Sequence, residues 1–294
     1  FAAIDIGSNA VRLLFTRVFE NGDQPFFKKE SLIRIPLRLG DDAFNKNLIS
    51  AEKVDMLLNT MTGFKHLIDA YQPLSYKAFA TSAMREAQNG EKIVEAVKNQ
   101  SGIDLEIIDG KIEAEIIYSN HFETKKNSGD SYLYVDVGGG STELTLFAEG
   151  KSQSSRSFNI GTVRLLENKV PDAYWKEMKG WLKENAKDLL SIVGVGSGGN
   201  INKIFRLARK KESKPISYKK IKKIDKLLNS YTFEERIRKL NLRADRADVI
   251  VPASRIYLSV MKWGKIKHMY VPQIGLADGV VHLLYERHKN DQVL

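Results

Sequence analysis

One short pattern occurs twice in this chain, and it constrains the fold more than any other feature of the sequence. Residues 3–9 (AIDIGSN) and residues 134–143 (YVDVGGGSTE) each join an apolar strand, one aspartate and a turn of small residues. Because Gly and Ser do not cover the backbone of a turn, its successive N–H groups can face one concavity that binds phosphate oxygens. The sequence therefore predicts two phosphate-binding loops, each at the tip of a β-hairpin.

The composition is typical of a globular protein with an anionic partner. With 294 residues, of which 43% are hydrophobic, the chain is long enough for two domains. Its 46 Lys and Arg against 36 Asp and Glu give a net charge of +10, which does not distinguish polyphosphate, nucleotide, nucleic acid or a membrane surface. The absence of cysteine excludes disulfides, zinc-thiolate sites and a thiol nucleophile. Without a leader or an apolar run of about 20 residues, we expect a cytoplasmic protein with no membrane partner.

The order of the predicted strands and helices indicates an α/β fold. Strands are predicted at residues 2–6 and 11–19 around the first loop, and a helix is predicted from Ser50, where apolar residues recur at helical spacing. Strands and helices then alternate, as a mixed or parallel sheet requires. A polar segment precedes the second copy of the strand-loop-strand pattern. We therefore expect two domains, at residues 1–125 and 126–294.

A third glycine-rich turn, residues 196–200 (GSGGN), opens a predicted helix. Free N–H groups and the helix dipole make such a turn a candidate anion site, with Gly198 as its candidate ligand. A simple strand-to-helix connection has the same composition. The interpretation of this turn as an anion site is therefore supported only by the presence of the other two loops.

The predicted phosphate ligands of the loops are backbone N–H groups and short polar side chains. They belong to Ser8, Asn9, Gly138, Gly139, Gly140, Ser141, Thr142 and Gly198. Tight hairpin turns that bind no ligand are the alternative interpretation.

Carboxylates at the ends of the loops are candidate metal ligands. Asp136 and Glu143 lie at the two ends of the second loop, and Asp5 has the place of Asp136 in the first. So small a set suits Mg²⁺, because that ion keeps water ligands and takes further oxygens from a bound phosphate. An aspartate at such a turn can instead accept local N–H bonds only.

Six segments in order along the chain resemble the Ppx/GppA phosphatase family, the exopolyphosphatases and guanosine pentaphosphate phosphohydrolases. The segments are residues 3–9, 80–87 (ATSAMREA), 109–114 (DGKIEA), 136–143 (DVGGGSTE), 196–199 (GSGG) and 246–250 (RADVI). The resemblance is to the short, two-domain members. It implies two actin-like (ribonuclease H-like) α/β domains, of the sugar kinase, heat-shock chaperone and actin superfold, with a cleft between them.

The resemblance also implies roles for two charged residues. Glu113 has the position of the family's catalytic glutamate, which implies a general base acting on a water molecule. Arg85 resembles a family arginine that contacts substrate phosphate, a contact that suits the planar guanidinium. A solvated helix residue is the alternative for each.

Together these features predict a Mg²⁺-dependent exopolyphosphatase that hydrolyses the terminal phosphoanhydride of inorganic polyphosphate in the cleft. One alternative substrate is guanosine pentaphosphate (pppGpp). A catalytically silent polyphosphate or nucleotide sensor is a second alternative, and an ATP-dependent sugar kinase of the same superfold is disfavoured by the motifs. The lysine-rich residues 203–226 are either a polyanion-binding surface or a solvated helix face.

The chain departs from the family pattern at several positions. Asp109 and Glu115 flank the predicted base, and Ala277 stands where an arginine is common, so each change makes its surroundings less positive. Ala10 and Asn200 replace common hydroxyl residues of the first and third turns. These departures bear on affinity and substrate choice more than on the type of reaction. The resemblance makes a homodimer possible, and without a base-stacking pattern we expect no specific nucleic-acid partner.

Overall fold

The computed structural model describes residues 1–20, 24–122, 131–148, 151–187, 191–209, 214–272 and 274–291, with no side-chain description for residues 118–122. Its strands are β1 (Ala2–Ile6), β2 (Val11–Phe19), β3 (Phe26–Ile35), β4 (Tyr76–Ala80), β5 (Leu105–Ile107), β6 (Ser131–Val137), β7 (Thr142–Ala148), β8 (Lys151–Phe158), β9 (Ile192–Ser197), β10 (Ile216–Ser217) and β11 (His268–Tyr270).

The helices in the described residues follow the same chain order. They are α1 (Leu39–Lys46), α2 (Ala51–Tyr71), α3 (Ser82–Glu86), α4 (Gly90–Ser101), α5 (Gly110–Phe122), α6 (Thr162–Leu166), α7 (Asp172–Asn185), α8 (Gly199–Leu207), α9 (Tyr218–Asn229), α10 (Phe233–Leu240), α11 (Ala244–Ala247), α12 (Ile250–Trp263) and α13 (Leu276–Asp291). Among these helices, none is apolar over a length that would cross a membrane.

The chain forms two compact units. Unit 1 contains Phe1–Asn120 together with Leu276–Leu294, and unit 2 contains His121–Gly275. The predicted boundary at residues 125 and 126 lies outside the described residues. The predicted second domain, 126–294, also differs from this division, because α13 at its end belongs to unit 1.

Unit 1 is built on a mixed sheet with the strand order β3-β2-β1-β4-β5. β1 pairs antiparallel with β2 and parallel with β4, and β5 pairs parallel with β4. β1 is buried along its whole length, as expected for an apolar central strand covered on both faces. Helix α2 begins after Ser50, as predicted, and buries Leu57, Met61 and Phe64 on one face.

Helix α13 closes the core of unit 1 because its apolar face packs on the sheet and on α5. Val280 and Leu284 lie in one buried cluster with Leu14 of β2 and Phe79 of β4. A Cβ atom at Gly279 would lie 2.4 Å from the carbonyl oxygen of Ile116 in α5, so the two helices are in close contact there. This packing explains why the end of the chain returns to the first unit.

Unit 2 is built on a mixed sheet with the strand order β10-β11-β9-β6-β7-β8. β6 pairs antiparallel with β7 and parallel with β9, as β1 does with β2 and β4. The core includes the buried α12 residues Ile256, Tyr257 and Val260 and the β6 residues Leu133 and Val135. The two units therefore repeat one arrangement, an antiparallel meander followed by a parallel strand, and the predicted hairpins are the meanders' first two strands.

Candidate functional site

Loop 1 (residues 7–10) is the turn between β1 and β2, and the start of α1 fixes it through backbone hydrogen bonds. The carbonyl of Ser8 accepts from the N–H of Gly40 at 2.8 Å, and that of Asn9 accepts from the N–H of Arg38 at 3.2 Å. In a trans peptide the N–H points opposite to the carbonyl of the preceding residue. The N–H of Asn9 therefore points away from α1.

Two predicted ligands in and beside loop 1 have protein partners. The hydroxyl of Ser8 is buried and shares a 2.8 Å hydrogen bond with the hydroxyl of Ser82 at the start of α3. The Oδ2 atom of Asp5 lies 2.5 Å from a guanidinium nitrogen of Arg12, its cross-strand neighbour. These contacts hold the loop in place, and the predicted roles of Ser8 in phosphate binding and of Asp5 in metal binding stay predictions.

Arg85 and Glu113 lie near the ends of β4 and β5, at the sheet edge that also carries loop 1. Arg85 on α3 donates from its guanidinium to the carbonyl of Ile108 at 2.7 Å. Ile108 in turn donates its N–H to Ala80 at the end of β4. Glu113 is half-buried in the first turn of α5. Unit 1 thus collects its predicted site residues at the carboxyl ends of parallel strands, where ligands commonly bind in α/β sheets.

The departures from the family pattern at Asp109 and Ala277 have structural explanations. The carboxylate of Asp109 accepts from the N–H groups of Lys111 and Ile112 at 2.9 and 2.8 Å, so it caps α5 as a serine would. Ala277 is 5% exposed in the core of unit 1, where a small side chain fits. Glu115 is exposed on α5.

Loop 2 (residues 138–141) is the turn between β6 and β7, and its carbonyls are bound by the start of α6. The hydrogen bonds run from the N–H of Thr162 to Gly138 (3.0 Å), from the N–H of Val163 to Gly139 (2.9 Å) and from Nε of Arg164 to Gly140 (2.7 Å). Each loop is also closed by one bond between its ends, Gly7 to Ala10 (3.1 Å) and Gly138 to Ser141 (2.9 Å). The two loops therefore share one design, in which the following helix turns the carbonyls to one side.

The N–H groups of loop 2 lie on the side of the loop that faces away from α6. Because the three carbonyls face α6, the N–H groups of Gly139, Gly140 and Ser141 are directed away from it. Within the ranges that the structure describes, these three groups donate no backbone hydrogen bond, and all three residues are buried. Successive N–H groups without protein acceptors form an anion-binding nest.

The hydroxyls and carboxylates around loop 2 form a connected network. Oε1 of the buried Glu143 accepts from the hydroxyls of Ser141 at 2.5 Å and Ser157 at 3.0 Å. Asp136 lies directly opposite Glu143 in the β6–β7 register and is more exposed. The hydroxyl of Thr142 donates to the carbonyl of Ile160 at 2.5 Å and the residue is 0% exposed, so this side chain supports the loop from behind.

The third turn lies against loop 2 within unit 2. Asp136 pairs with Ser197 in the β6–β9 register, and its Oδ1 would be 2.9 Å from a Cβ atom at Gly198. Gly198 has φ 95°, a conformation that favours glycine, and α8 begins at the next residue. Tyr257 donates to the carbonyl of Ser197 at 2.7 Å, and burial followed by the charge of Asp136 raises its pKa well above the usual value. The neutral phenol therefore holds the end of β9.

Arg246 is a candidate residue that the sequence did not single out, although its segment resembles the family. A Cβ atom at Gly199 would lie 2.4 Å from a guanidinium nitrogen of Arg246, so the guanidinium lies against the third turn. It also donates to Asn200 at 3.3 Å, which gives this departure from the family pattern a structural role. Burial and the neighbouring Arg206 and Arg246 lower the pKa of Lys203. The start of α8 is therefore a positive environment.

The comparisons with known proteins agree with the motifs. A sequence model of the Ppx/GppA phosphatase family matches residues 30–288. A bifunctional 3-dehydroquinate synthase/phosphatase from Fusobacterium nucleatum is 32% identical over 214 residues, which are 66% of this chain and 32% of that protein. This chain therefore spans about a third of that relative.

Two further relatives match nearly the whole chain. Exopolyphosphatase 1 from Mycobacterium tuberculosis is 24% identical over 298 residues, 95% of this chain and 86% of that protein. A guanosine-5'-triphosphate,3'-diphosphate pyrophosphatase from Vibrio parahaemolyticus is 26% identical over 306 residues, 99% of this chain and 60% of that protein.

Solved structures confirm the predicted fold class. The Ppx/GppA family member from Aquifex aeolicus has a TM-score of 0.74 and 26% identity, with 97% of both chains covered. An exopolyphosphatase from Cytophaga hutchinsonii has a TM-score of 0.80 and 24% identity, again with 97% of both chains covered. The two mixed sheets with their helices are therefore the actin-like two-domain arrangement.

Proposed function

The chain belongs to the Ppx/GppA phosphatase family, and from this we propose that it is a Mg²⁺-dependent exopolyphosphatase with Glu113 as general base. The substrate is the terminal phosphoanhydride of inorganic polyphosphate. The observation that carries the proposal is the nest of loop 2, where the N–H groups of Gly139, Gly140 and Ser141 donate no backbone hydrogen bond among the described residues. Fixed donors aimed at phosphate oxygens need no reorganisation when negative charge develops there.

The reaction requires a base and a water molecule. Glu113 takes a proton from water, the water oxygen bonds to the terminal phosphorus, and the bridging bond to the next phosphate breaks. The products are orthophosphate and a polyphosphate one unit shorter. Arg85 supports this role, because one guanidinium nitrogen binds Ile108 near Glu113 and the other N–H groups of the fork suit phosphate oxygens.

The carboxylates of unit 2 fit a magnesium ion. In the described residues no group of three His, Cys, Asp or Glu side chains could hold a metal, so a protein-only cage is absent there. Asp136 and Glu143 are the two carboxylates beside the nest, and Mg²⁺ needs only one or two when phosphate and water supply the other oxygens. Asp136 is the more exposed of the pair and the better direct ligand, with Glu143 held behind it by two hydroxyls. A bound Mg²⁺ would neutralise charge on the phosphate oxygens.

pppGpp is the second candidate substrate. The similarity to the Vibrio parahaemolyticus pyrophosphatase favours it, and pppGpp also ends in a phosphoanhydride. Mycobacterium tuberculosis exopolyphosphatase 1, of which this chain covers 86%, favours polyphosphate. Phosphate release from the two substrates at equal concentration distinguishes them. We also propose that the protein is cytoplasmic, that it forms a homodimer and that it binds nucleic acid only weakly.

The variant Glu113→Gln tests the catalytic assignment. We expect phosphate release from polyphosphate to fall by about 10²- to 10⁴-fold, because a positioned base contributes that much. Binding of polyphosphate and the melting temperature should stay close to those of the wild type, since the amide keeps the shape of the side chain.

Glu115→Gln is the matched control, because it removes the same charge two residues away on an exposed position of α5. It should retain the wild-type rate. Full activity of Glu113→Gln would reject Glu113 as the base. A wild-type protein that binds both substrates and releases phosphate from neither would be the silent sensor, and sugar phosphate formed from ATP would indicate a kinase.

A further inference from the structure

The positive charge of the chain is concentrated in unit 2. Residues 121–275 contain 30 Lys and Arg against 16 Asp and Glu, a net charge of +14, whereas the residues of unit 1 contain 16 against 20. The net charge of +10 therefore describes one basic unit and one mildly acidic unit.

Helix α9 carries part of this charge on one exposed face, which we call the lysine stripe. It consists of Lys219, Lys222, Lys223 and Lys226, all exposed and spaced three and four residues apart. The opposite face buries Ile221, Ile224 and Leu228. Residues at this spacing lie above one another on a helix, so the stripe extends for about 10 Å along the axis.

The stripe is not neutralised by the carboxylates around it. Asp225 is the acidic residue of α9, and its Oδ1 accepts from the hydroxyl of Ser254 at 2.5 Å on the buried side. Across the described part of the chain, no carboxylate lies within 4.0 Å of the four stripe amines. On α10, by contrast, Lys239 pairs with Glu235 at 2.6 Å.

The topology directs the stripe toward the third turn. β10 runs antiparallel to β11, so its last residue, Ser217, lies at the edge opposite to loop 2, and α9 starts there. At the other end of α9, the guanidinium of Arg236 donates both to Leu228 at 2.8 Å and to Ala247 at 3.0 Å. The end of α9 is therefore close to Arg246, which lies against Gly199.

We propose that the lysine stripe binds the body of a linear polyphosphate whose terminal phosphate lies at loop 2. This inference rests on the proposed function. Mobile ammonium groups at regular spacing suit a flexible chain of identical charges. Binding to single-stranded nucleic acid would call for aromatic platforms, and binding to a membrane would call for a broad apolar face. On α9, Leu227 is the large apolar side chain that is exposed beside the stripe, and Ile221, Ile224 and Leu228 are buried.

The test compares two variants with equal charge change. One replaces the stripe, Lys219→Gln, Lys222→Gln, Lys223→Gln and Lys226→Gln. The control variant replaces four other lysines of unit 2 with Gln, at Lys176, Lys179, Lys183 and Lys187. These lysines are also exposed, and they lie on or just after α7, where glutamates alternate with them. Affinity for long-chain polyphosphate is measured with EDTA across a salt series, and hydrolysis of tripolyphosphate is measured with Mg²⁺.

The stripe variant should bind long chains at least about tenfold more weakly near 50 mM salt and with a shallower salt dependence, because fewer ions are displaced. Its rate on tripolyphosphate, which is too short to cover the stripe, should be unchanged, and the control variant should bind as the wild type does. Equal weakening in both variants, or none in either, would overturn the inference. Wild-type binding to an oligonucleotide or to anionic vesicles that is tighter than to polyphosphate would also overturn it. A stripe-dependent affinity without any hydrolysis would reject the proposed function and leave the stripe as a binding site.

Discussion

Asp42 connects α1 to the start of α2 through a single carboxylate. Its Oδ2 accepts from the N–H of Ser50 at 3.1 Å and from the hydroxyl of Ser50 at 2.5 Å, and its Oδ1 lies 3.0 Å from Nζ of Lys46. Burial raises the pKa of Asp42, but these hydrogen bonds outweigh that effect and lower the pKa to about 2. A folded-state pKa below the ordinary value means that the ionised form stabilises the fold.

The variant Asp42→Asn should therefore lose stability at neutral pH. The pKa falls from 3.8 to about 2 on folding, so the carboxylate contributes about 2 kcal/mol, fully present above pH 4 and lost as the pH falls toward 2. Urea unfolding at pH 7 and at pH 3 measures this, and the difference between wild type and variant should shrink at the lower pH. Asp55→Asn, at an exposed position of α2, should change stability by less than about 0.5 kcal/mol. A difference that is independent of pH would contradict the assignment.

Single residues differ in how well the sequence predicts their role. The turn formed by the glycines of loop 2 was predictable, because small residues after a strand favour a tight turn whose N–H groups are not covered by side chains. Their binding of phosphate stays a prediction. Thr142 was predicted to bind phosphate with its neighbours, yet its hydroxyl donates to Ile160. The local sequence does not determine which way a hydroxyl group points. Its hydrogen-bond partner therefore depends on segments that are far away in the sequence. Arg246 was missed for the same reason, because its contact with Gly199 spans 47 residues.

At the scale of elements, loop 2 depends on its packing against the start of α6. A Cβ atom at Gly161 would lie 2.1 Å from the carbonyl oxygen of Gly139 and 2.3 Å from the carbonyl carbon of Gly140. Both of these atoms are backbone, so the loop itself must move to accept a methyl group. The short α6 thus sets the direction in which the nest points.

The variant Gly161→Ala should lower the rate of phosphate release by about 10²-fold, since a displacement of about 1 Å in a positioning group has effects of that size. Gly180→Ala is the control, because among the described residues a Cβ atom added there on α7 has no neighbour within 4 Å apart from the backbone of its own helix. It should keep the rate and raise stability by up to about 1 kcal/mol through helix propensity. Phosphate release and melting temperature are measured for both variants. An unchanged rate for Gly161→Ala would show that loop 2 does not position the substrate.

Elements next to the loops were predictable, and those distant from them were less so. Strands β1 and β2 have the predicted bounds, and α2 follows Ser50 as its spacing indicated. Strand β3 ends at Ile35, before Pro36, which has no N–H with which to extend the ladder between β3 and β2. The pairing order of the sheets could not be derived from local pattern, because it depends on contacts between strands that are far apart in the sequence.

At the scale of the whole molecule, α13 makes unit 1 discontinuous in sequence. Its aspartate Asp278 pairs with Lys29 of β3 at 2.6 Å, and Tyr285 donates to Glu20 at 2.9 Å. A sequence repeat predicts two consecutive domains, because it detects similar strands and not the destination of a last helix. The predicted boundaries therefore place α13 with residues 126–294, whereas its buried face packs in unit 1.

Removal of residues 276–294 tests whether α13 belongs to unit 1 or to the predicted second domain. The shortened chain should lose protection from hydrogen exchange in β1, β2 and β4, because the α13 side chains Val280, Val281 and Leu284 cover them and each deleted apolar side chain costs about 1–3 kcal/mol. Strands β6 and β9 of unit 2 should keep their protection. If the truncated chain aggregates, the milder variant Val280→Ala replaces it in the test. This variant should lower the free energy of opening of the same strands of unit 1 by about 1 kcal/mol. If unit 2 lost protection and unit 1 kept it, α13 would belong to the second domain as the sequence repeat implies.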